Sequence, residues 1–240
     1  MTQGALCLMS LSLPRTSDEM TNDEKVRSAD DEAMVDPSLA IRPSSLRAAQ
    51  VTGLVLAGGM GRRMDSRDKG LVPFRGRPMV AHVIQRLAPQ VGPLLINANR
   101  NTEQYAAYGH PVVGDEVGGF AGPLAGLHAG MRACATPLIV TAPCDSPFLP
   151  LDLVARLQMA MQDAIADAAV VRTGGFAQPV FALYQVSLLP SLTAFLEAGG
   201  RKIDTWYAQH RVADVDFADE AAFANINTIE ELQAHEHGKH

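Results

Sequence analysis

At 240 residues with a formal net charge of −6, the chain is long enough for one sizeable core and too acidic for broad contact with nucleic acid. Aromatic residues make up only 5%, and no apolar run reaches the roughly 20 residues that a membrane-spanning helix requires. Cys7, Cys134 and Cys144 form no CxxC pair, which speaks against a disulfide framework or a zinc site and for a reducing, cytoplasmic setting.

Residues 1–48 read as a disordered extension, because Thr16 to Asp36 is dense in Asp, Glu, Ser and Thr with little aliphatic periodicity. The apolar stretch Ala5–Met9 is short and has no Lys or Arg before it, so it does not read as a signal peptide; Met20 and Met34 are alternative starts. From Val51 the pattern alternates. Apolar runs at Gly53–Leu56, Leu94–Asn97, Val112–Gly114, Leu138–Thr141 and Ala169–Arg172 predict strands, and Pro78–Leu87, Thr102–Tyr108, Pro123–Ala133 and Leu151–Ala166 predict helices between them. Alternation of this kind gives an α/β fold with a mostly parallel sheet, and strands that are nearly all apolar are covered on both faces. Further on, Gln178–Tyr184 predicts a strand, Pro190–Ala198 and Arg201–His210 helices, and Val212–Phe217 a strand. Thr228-x-x-Glu231 is a capping box opening a last helix, and 236–240 is a solvated tail.

In open α/β sheets ligands bind beyond the carboxyl ends of the strands. After the first strand comes Gly58-Gly59-x-Gly61-Arg62-Arg63, then Asp68-Lys69-Gly70: glycines whose backbone can approach a phosphate closely, followed by cations. The spacing is neither a Walker A loop nor the G-x-G-x-x-G dinucleotide fingerprint. Lys69 is placed to neutralise phosphate charge, unless it is a solvated surface lysine. Asn97-Ala98-Asn99-Arg100 follows the second strand, Asp115 the third, and Pro143-Cys144-Asp145-Ser146-Pro147 the fourth. Prolines on both sides restrict the backbone around Asp145. A fixed carboxylate at a strand end suits Mg²⁺, which takes one or two protein oxygens and completes its shell with water and substrate phosphates. The plainer alternative is an Asp that caps the following helix. Asp115 either binds ligand or ends its strand. The histidines His82, His110, His128 and His210 lack partner spacing such as HExxH and read as packing or surface residues, and Cys144 as packing.

Taken together, Leu56-Ala57-Gly58-Gly59-x-Gly61-x-Arg63-Met64, Asp68-Lys69-Gly70, Asn97-Ala98-Asn99-Arg100, Gly122-Pro123-Leu124-Ala125-Gly126, Pro143-Cys144-Asp145-x-Pro147 and Asn225-Ile226-Asn227-Thr228-x-Glu230-Glu231-Leu232 closely resemble the MobA family of molybdenum cofactor guanylyltransferases. The resemblance runs from about Thr52 to His235. It implies a Rossmann-like three-layer sandwich, with residues 49–235 as one nucleotidyltransferase domain, its N-terminal part binding GTP and its C-terminal part molybdopterin. It also implies transfer of GMP from GTP to the molybdopterin cofactor, with Mg²⁺ and release of pyrophosphate. Carried over by position, Leu56, Ala57, Gly58 and Gly59 cradle the nucleotide, Lys69 contacts its phosphates, Asn97 and Asp115 complete the nucleotide site, and Asp145 holds the metal. Asn225, Asn227 and Gln178 fall to the acceptor, although family members can carry histidine where Gln178 stands. Other cofactor-biosynthesis proteins and the acceptor molybdoenzymes are the partners the resemblance implies.

Related enzymes that transfer CMP to molybdopterin, or nucleotides to sugar phosphates, more often carry Leu-Ala-Ala-Gly in the loop, so Gly58-Gly59 favours guanine. A silent nucleotide-binding module would lack Lys69 or Asp145, and both are present.

Overall fold

Val51–Leu56 forms β1, and every residue but the last is buried because both faces are covered. The computed structural model describes residues 48–57, 68–116, 122–228 and 231. The expected extension before Ala48, the glycines Gly58 and Gly59 with Arg62 and Arg63, and the tail lie outside the described residues.

The chain continues through a hairpin of two-residue strands, β2 (Pro73–Phe74) and β3 (Arg77–Pro78), into helix α1 (Met79–Leu87). Then follow β4 (Leu94–Asn97), α2 (Thr102–Ala106), β5 (Val112–Val113), α3 (Pro123–Ala133) and β6 (Leu138–Pro143). The second half holds α4 (Leu153–Asp163), β7 (Ala168–Thr173), β8 (Phe176–Gln185), α5 (Leu189–Glu197), α6 (Ile203–Tyr207) and β9 (Val212–Asp216). Seven of these strands make one sheet in the order β5-β4-β1-β6-β8-β7-β9. Only β8 runs against the rest: it is antiparallel to both β6 and β7, whereas β7 and β9 pair in parallel. The expected mostly parallel α/β sheet is therefore the one observed.

Neighbouring residues of a strand point to opposite faces, which divides the core into two. Val55, Val140, Val171 and Phe181 meet α1 and α4 residues such as Val83, Leu87, Leu153 and Leu157. Leu54, Ile139, Val170 and Ala182 instead meet Leu124, Leu127 and Met131 of α3, Leu192 of α5 and Trp206 of α6. Each of these large side chains, buried completely, is worth about 1.5–3 kcal/mol relative to exposure. The result is a three-layer sandwich.

Several limits differ from expectation for local reasons. The helix expected over Leu151–Ala166 runs only from Leu153 to Asp163, because Ile165 takes a left-handed φ of 48° that ends it. Its first turn is held by Gln90, whose Oε1 accepts from Val154 N at 3.0 Å. Between β7 and β8 the register jumps from Val170↔Ala182 to Val171↔Gln178, an irregularity that contains Pro179. A proline, lacking an N–H, is tolerated in a strand at such a place. The capping box forms as read: Glu231 N donates to Thr228 Oγ1 at 3.1 Å and Thr228 N to Glu231 Oε2 at 3.2 Å.

Strand order places the functional edge. The chain moves outward from β1 through β4 to β5, then returns to the other side of β1 with β6. At such a reversal, connections leave adjacent strand ends in opposite directions and open a crevice. Here it lies beyond Leu56 and Pro143, which are register partners.

Candidate active site

Asp145 follows the end of β6 by two residues and is 8% exposed. Its backbone is tied to the C-terminal segment, since Ile226 N donates to Asp145 O at 2.9 Å. The next residue, Ser146, is fully buried and donates from Oγ to Asn225 Oδ1 at 2.5 Å. Two residues later Asn227 reaches the crevice: Lys69 Nζ donates to Asn227 Oδ1 at 2.6 Å and to Asp145 Oδ2 at 3.1 Å. Lys69, Asp145 and Asn227 are thus brought to one point, with Lys69 on a single 3₁₀ turn, Lys69–Leu71. The lysine side chain keeps 22% of its surface exposed and the aspartate 11%, so the pair is shielded without being sealed. An incoming anion can still reach the ammonium.

A second polar cluster lies at the β4 and β5 ends. Asn97 closes β4 and is buried, and its Nδ2 donates to Asp115 Oδ1 at 2.9 Å and to Val113 O at 3.1 Å. Asn99 Nδ2 donates to Asp115 Oδ2 at 2.8 Å, and Asp115 N returns a bond to Asn99 Oδ1 at 2.8 Å. Between the clusters runs the end of β1. Ala57 N donates to Asn97 O at 2.8 Å, and Cys144 N donates to Leu56 O at 3.1 Å. Leu56 and Ala57 therefore form the floor that joins both sides, directly before the glycine loop.

Gln178 stands apart from both clusters. It lies on β8 beside the end of β7, where its Nε2 donates to Thr173 Oγ1 at 2.9 Å. Asn225 is engaged with Ser146, and Asn227 with Lys69, so the two asparagines expected to serve the acceptor also brace the residues around Asp145. Ser146 and Asn99 were not among the expected site residues. Their signal was position alone: Ser146 is flanked by Asp145 and Pro147, and Asn99 lies two residues past a strand end. Cys144 is packing, as expected. It is buried, and burial first, then the Asp145 charge, pushes its thiol far above the usual range and leaves it protonated.

Among the described residues no group of three or more His, Cys, Asp or Glu converges as a closed metal cage. Mg²⁺ bound through one carboxylate and substrate phosphates needs none. Asp145 fits that mode: Oδ2 is shared with Lys69, and Oδ1 accepts no hydrogen bond from a described residue.

Residues 53–213 match the family described as the MobA-like NTP transferase domain. A molybdenum cofactor guanylyltransferase of Cupriavidus taiwanensis is 59% identical over 191 residues, 78% of this chain and 96% of the relative. The protein of the same description from Bordetella petrii is 56% identical over 187 residues, covering 76% and 95%. Among solved structures, molybdopterin-guanine dinucleotide biosynthesis protein A from Archaeoglobus fulgidus superposes with a TM-score of 0.64 at 25% identity, covering 78% of this chain and 97% of that one. A CMP:2-keto-3-deoxy-manno-octonic acid synthetase at 12% identity shares the fold, with a TM-score of 0.62. With its sheet order, the crevice at the β1–β6 reversal and these likenesses, the chain belongs to the MobA-like nucleotidyltransferases, among the molybdenum cofactor guanylyltransferases.

Proposed function

We propose that this chain transfers GMP from GTP to the terminal phosphate of molybdopterin, forming the guanine dinucleotide cofactor and releasing pyrophosphate. The observation that carries the reading is the meeting of Lys69, Asp145 and Asn227 at the crevice between β1 and β6.

An oxygen of the acceptor phosphate attacks the α-phosphorus of GTP in line. The new P–O bond forms as the bond from the α-phosphorus to the bridging oxygen breaks, and its electron pair leaves with pyrophosphate. Near neutral pH that phosphate oxygen is already ionised, so no strong general base is required. Positioning and charge neutralisation suffice, and both are electrostatic tasks. The Lys69 ammonium exchanges one of its present partners for phosphate oxygens and offsets the charge that builds on them. Asp145 holds Mg²⁺, whose contribution when bound is further neutralisation of phosphate charge. Asn97 and Asp115 complete the nucleotide site from the β4 side, and Asn225 borders the acceptor. Gln178, which stands apart near the start of β8 with its amide on Thr173, is left to border the acceptor from that side.

The same reading places the reaction in the cytoplasm, in keeping with unpaired thiols at Cys134 and Cys144, and makes other cofactor-biosynthesis proteins and acceptor molybdoenzymes its partners. No described helix is long and apolar enough to cross a membrane. The deciding experiment incubates the chain with molybdopterin, Mg²⁺ and each nucleoside triphosphate, and identifies the dinucleotide by mass. GTP is expected to give the product. Equal or better use of CTP would overturn the guanine assignment.

A further inference from the structure

Asp68 directly precedes Lys69, yet its carboxylate is spent away from the crevice. Tyr105 OH donates to Asp68 Oδ1 at 2.5 Å and Asn101 Nδ2 donates to Oδ2 at 3.0 Å. Both donors belong to the connection after β4. Asn101 takes a left-handed φ of 49°, a conformation in which asparagine is enriched, immediately before the five-residue helix α2. Tyr105, on that helix, is completely buried. Burial chiefly, then the neighbouring Cys144 and the bond to Asp68, raises its hydroxyl far above the usual range, so it remains a neutral donor.

The turn carrying Lys69 also packs close to the same hydroxyl. Leu71 N donates to Asp68 O at 3.0 Å and Val72 N to Lys69 O at 3.2 Å, which closes the turn. Gly70 is buried so near that a Cβ there would lie 2.5 Å from Tyr105 Oη and 3.1 Å from Cys144 Sγ. The root of Lys69 is thereby held between the Asp68 carboxylate and the Gly70 backbone. A lysine has a flexible four-carbon stem, so what confines its ammonium is where the stem begins.

We propose that Tyr105, assisted by Asn101, is a positioning residue for GMP transfer: by anchoring Asp68 under the Lys69 turn, it sets the Lys69 ammonium against the nucleotide phosphates. This rests on the reading of Lys69 as a phosphate contact. Misplacing a group at the reacting centre by about 1 Å can cost on the order of 10²-fold in rate, so the loss of one anchoring bond is expected to be visible.

The test is a double-mutant cycle on the full chain with Tyr105→Phe, Lys69→Gln and the pair, read by GTP binding and by steady-state transfer to molybdopterin. Tyr105→Phe alone is expected to lower kcat about 10-fold and weaken GTP about threefold, and to have no further effect once Lys69 is Gln, because residues acting as one unit are non-additive. A Tyr105 with a merely structural role would give the same loss in both backgrounds, and that additivity overturns the proposal, as does an unchanged Tyr105→Phe. Should Tyr105→Phe melt far below the parent, Asp68→Asn replaces it in the same cycle with the same expected outcome. Absence of GTP binding by the parent chain would sink the functional reading and this proposal together. Parent binding and transfer with an additive cycle would sink only the proposal.

Discussion

Asn97 and Asp115 are 18 positions apart in the chain, whereas Lys69 reaches Asp145 across 76 positions and Asn227 across 158. The first cluster is made by two adjacent strand ends and needs little more than the β4–β5 pairing. The second exists only when the C-terminal segment has returned to lay Asn225–Asn227 against Asp145 and Ser146. Their chemistry differs in the same direction. At Asp115 neutral amides satisfy a carboxylate, while at Asp145 a cation does so in a shielded place, where removing one partner leaves the other charge uncompensated. A local cluster can be tuned at small cost, whereas changing a closure cluster also disturbs how distant segments meet.

That contrast can be tested by substitution, and the largest effect belongs to Asp145. Asp145→Asn preserves shape and is expected to reduce kcat by about 10²–10³-fold, the scale seen when a transition-state electrostatic group is lost; near-parental turnover would remove Asp145 from the chemistry. Lys69→Ala should cost about 10²-fold in kcat and also lower the melting temperature, because Asp145 then loses its counter-ion. A loss of activity with an unchanged melting curve would show that the pair contributes nothing to closure.

Asn227→Ala discriminates between the two roles of the C-terminal segment. If Asn227 braces Lys69 as the 2.6 Å bond indicates, KM for GTP should rise about 5-fold, and a change confined to KM for molybdopterin would separate the two halves of the site. Asn99→Ala, in the local cluster, is expected to raise KM for GTP only about threefold with kcat unchanged, because the two bonds it removes from Asp115 are both exposed to solvent.

The smallest effect is a pH dependence of stability where α3 meets α5. His128, on α3, is buried, with Nε2 bonded to Thr193 at 3.1 Å and Nδ1 without a partner among the described residues. Burial first, and Arg132 second, hold its pKa below the ordinary value against the opposing pull of Glu116 and Glu197. The unfolded chain therefore takes up the proton first as pH falls. Stability is greatest above the unfolded pKa of about 6.5 and declines as pH drops from there toward the lower folded value. Between pH 7.5 and 5.5 the parent should lose more in melting temperature than His128→Leu. Equal losses would clear His128 of any part in it.

Most of the sheet was legible because β1, β4, β5 and β6 are short apolar runs between turn residues, and runs covered on both faces announce themselves. The hairpin β2–β3 was not. Its strands are two residues each and read Pro-Phe and Arg-Pro, and the turn is made by Arg75 at φ 47° and Gly76 at φ 77°. Nor does an apolar run reveal its direction, so the antiparallel setting of β8 was hidden. At the site, Asn97, Asp115 and Asp145 were findable as polar residues at or just past strand ends, and Lys69 as the lysine that follows the glycine run after β1. The bond from Lys69 to Asn227 depends on where a distant segment returns, and nothing local in Asn-Ile-Asn-Thr encodes that. Tyr105 was invisible for the opposite reason: in a helix of five residues there is no stripe to mark an inward position.

Helix α3 begins after Gly122 and carries Gly126 and Gly130 one turn apart on the side facing the sheet. A β-carbon at Gly130 would lie 2.5 Å from Leu54, and one at Gly126 would collide with the amide oxygen of Asn97 and with Leu56. By intrinsic propensity each glycine weakens the helix by about 1 kcal/mol relative to alanine. The missing carbons thus set the distance between two layers of the molecule, and through Asn97 they govern whether the amide bonded to Asp115 keeps its orientation. A thermostabilisation campaign that replaced helical glycines by alanine would find here a pair of positions where a stiffer helix dislodges Asn97 and the cluster it forms with Asp115.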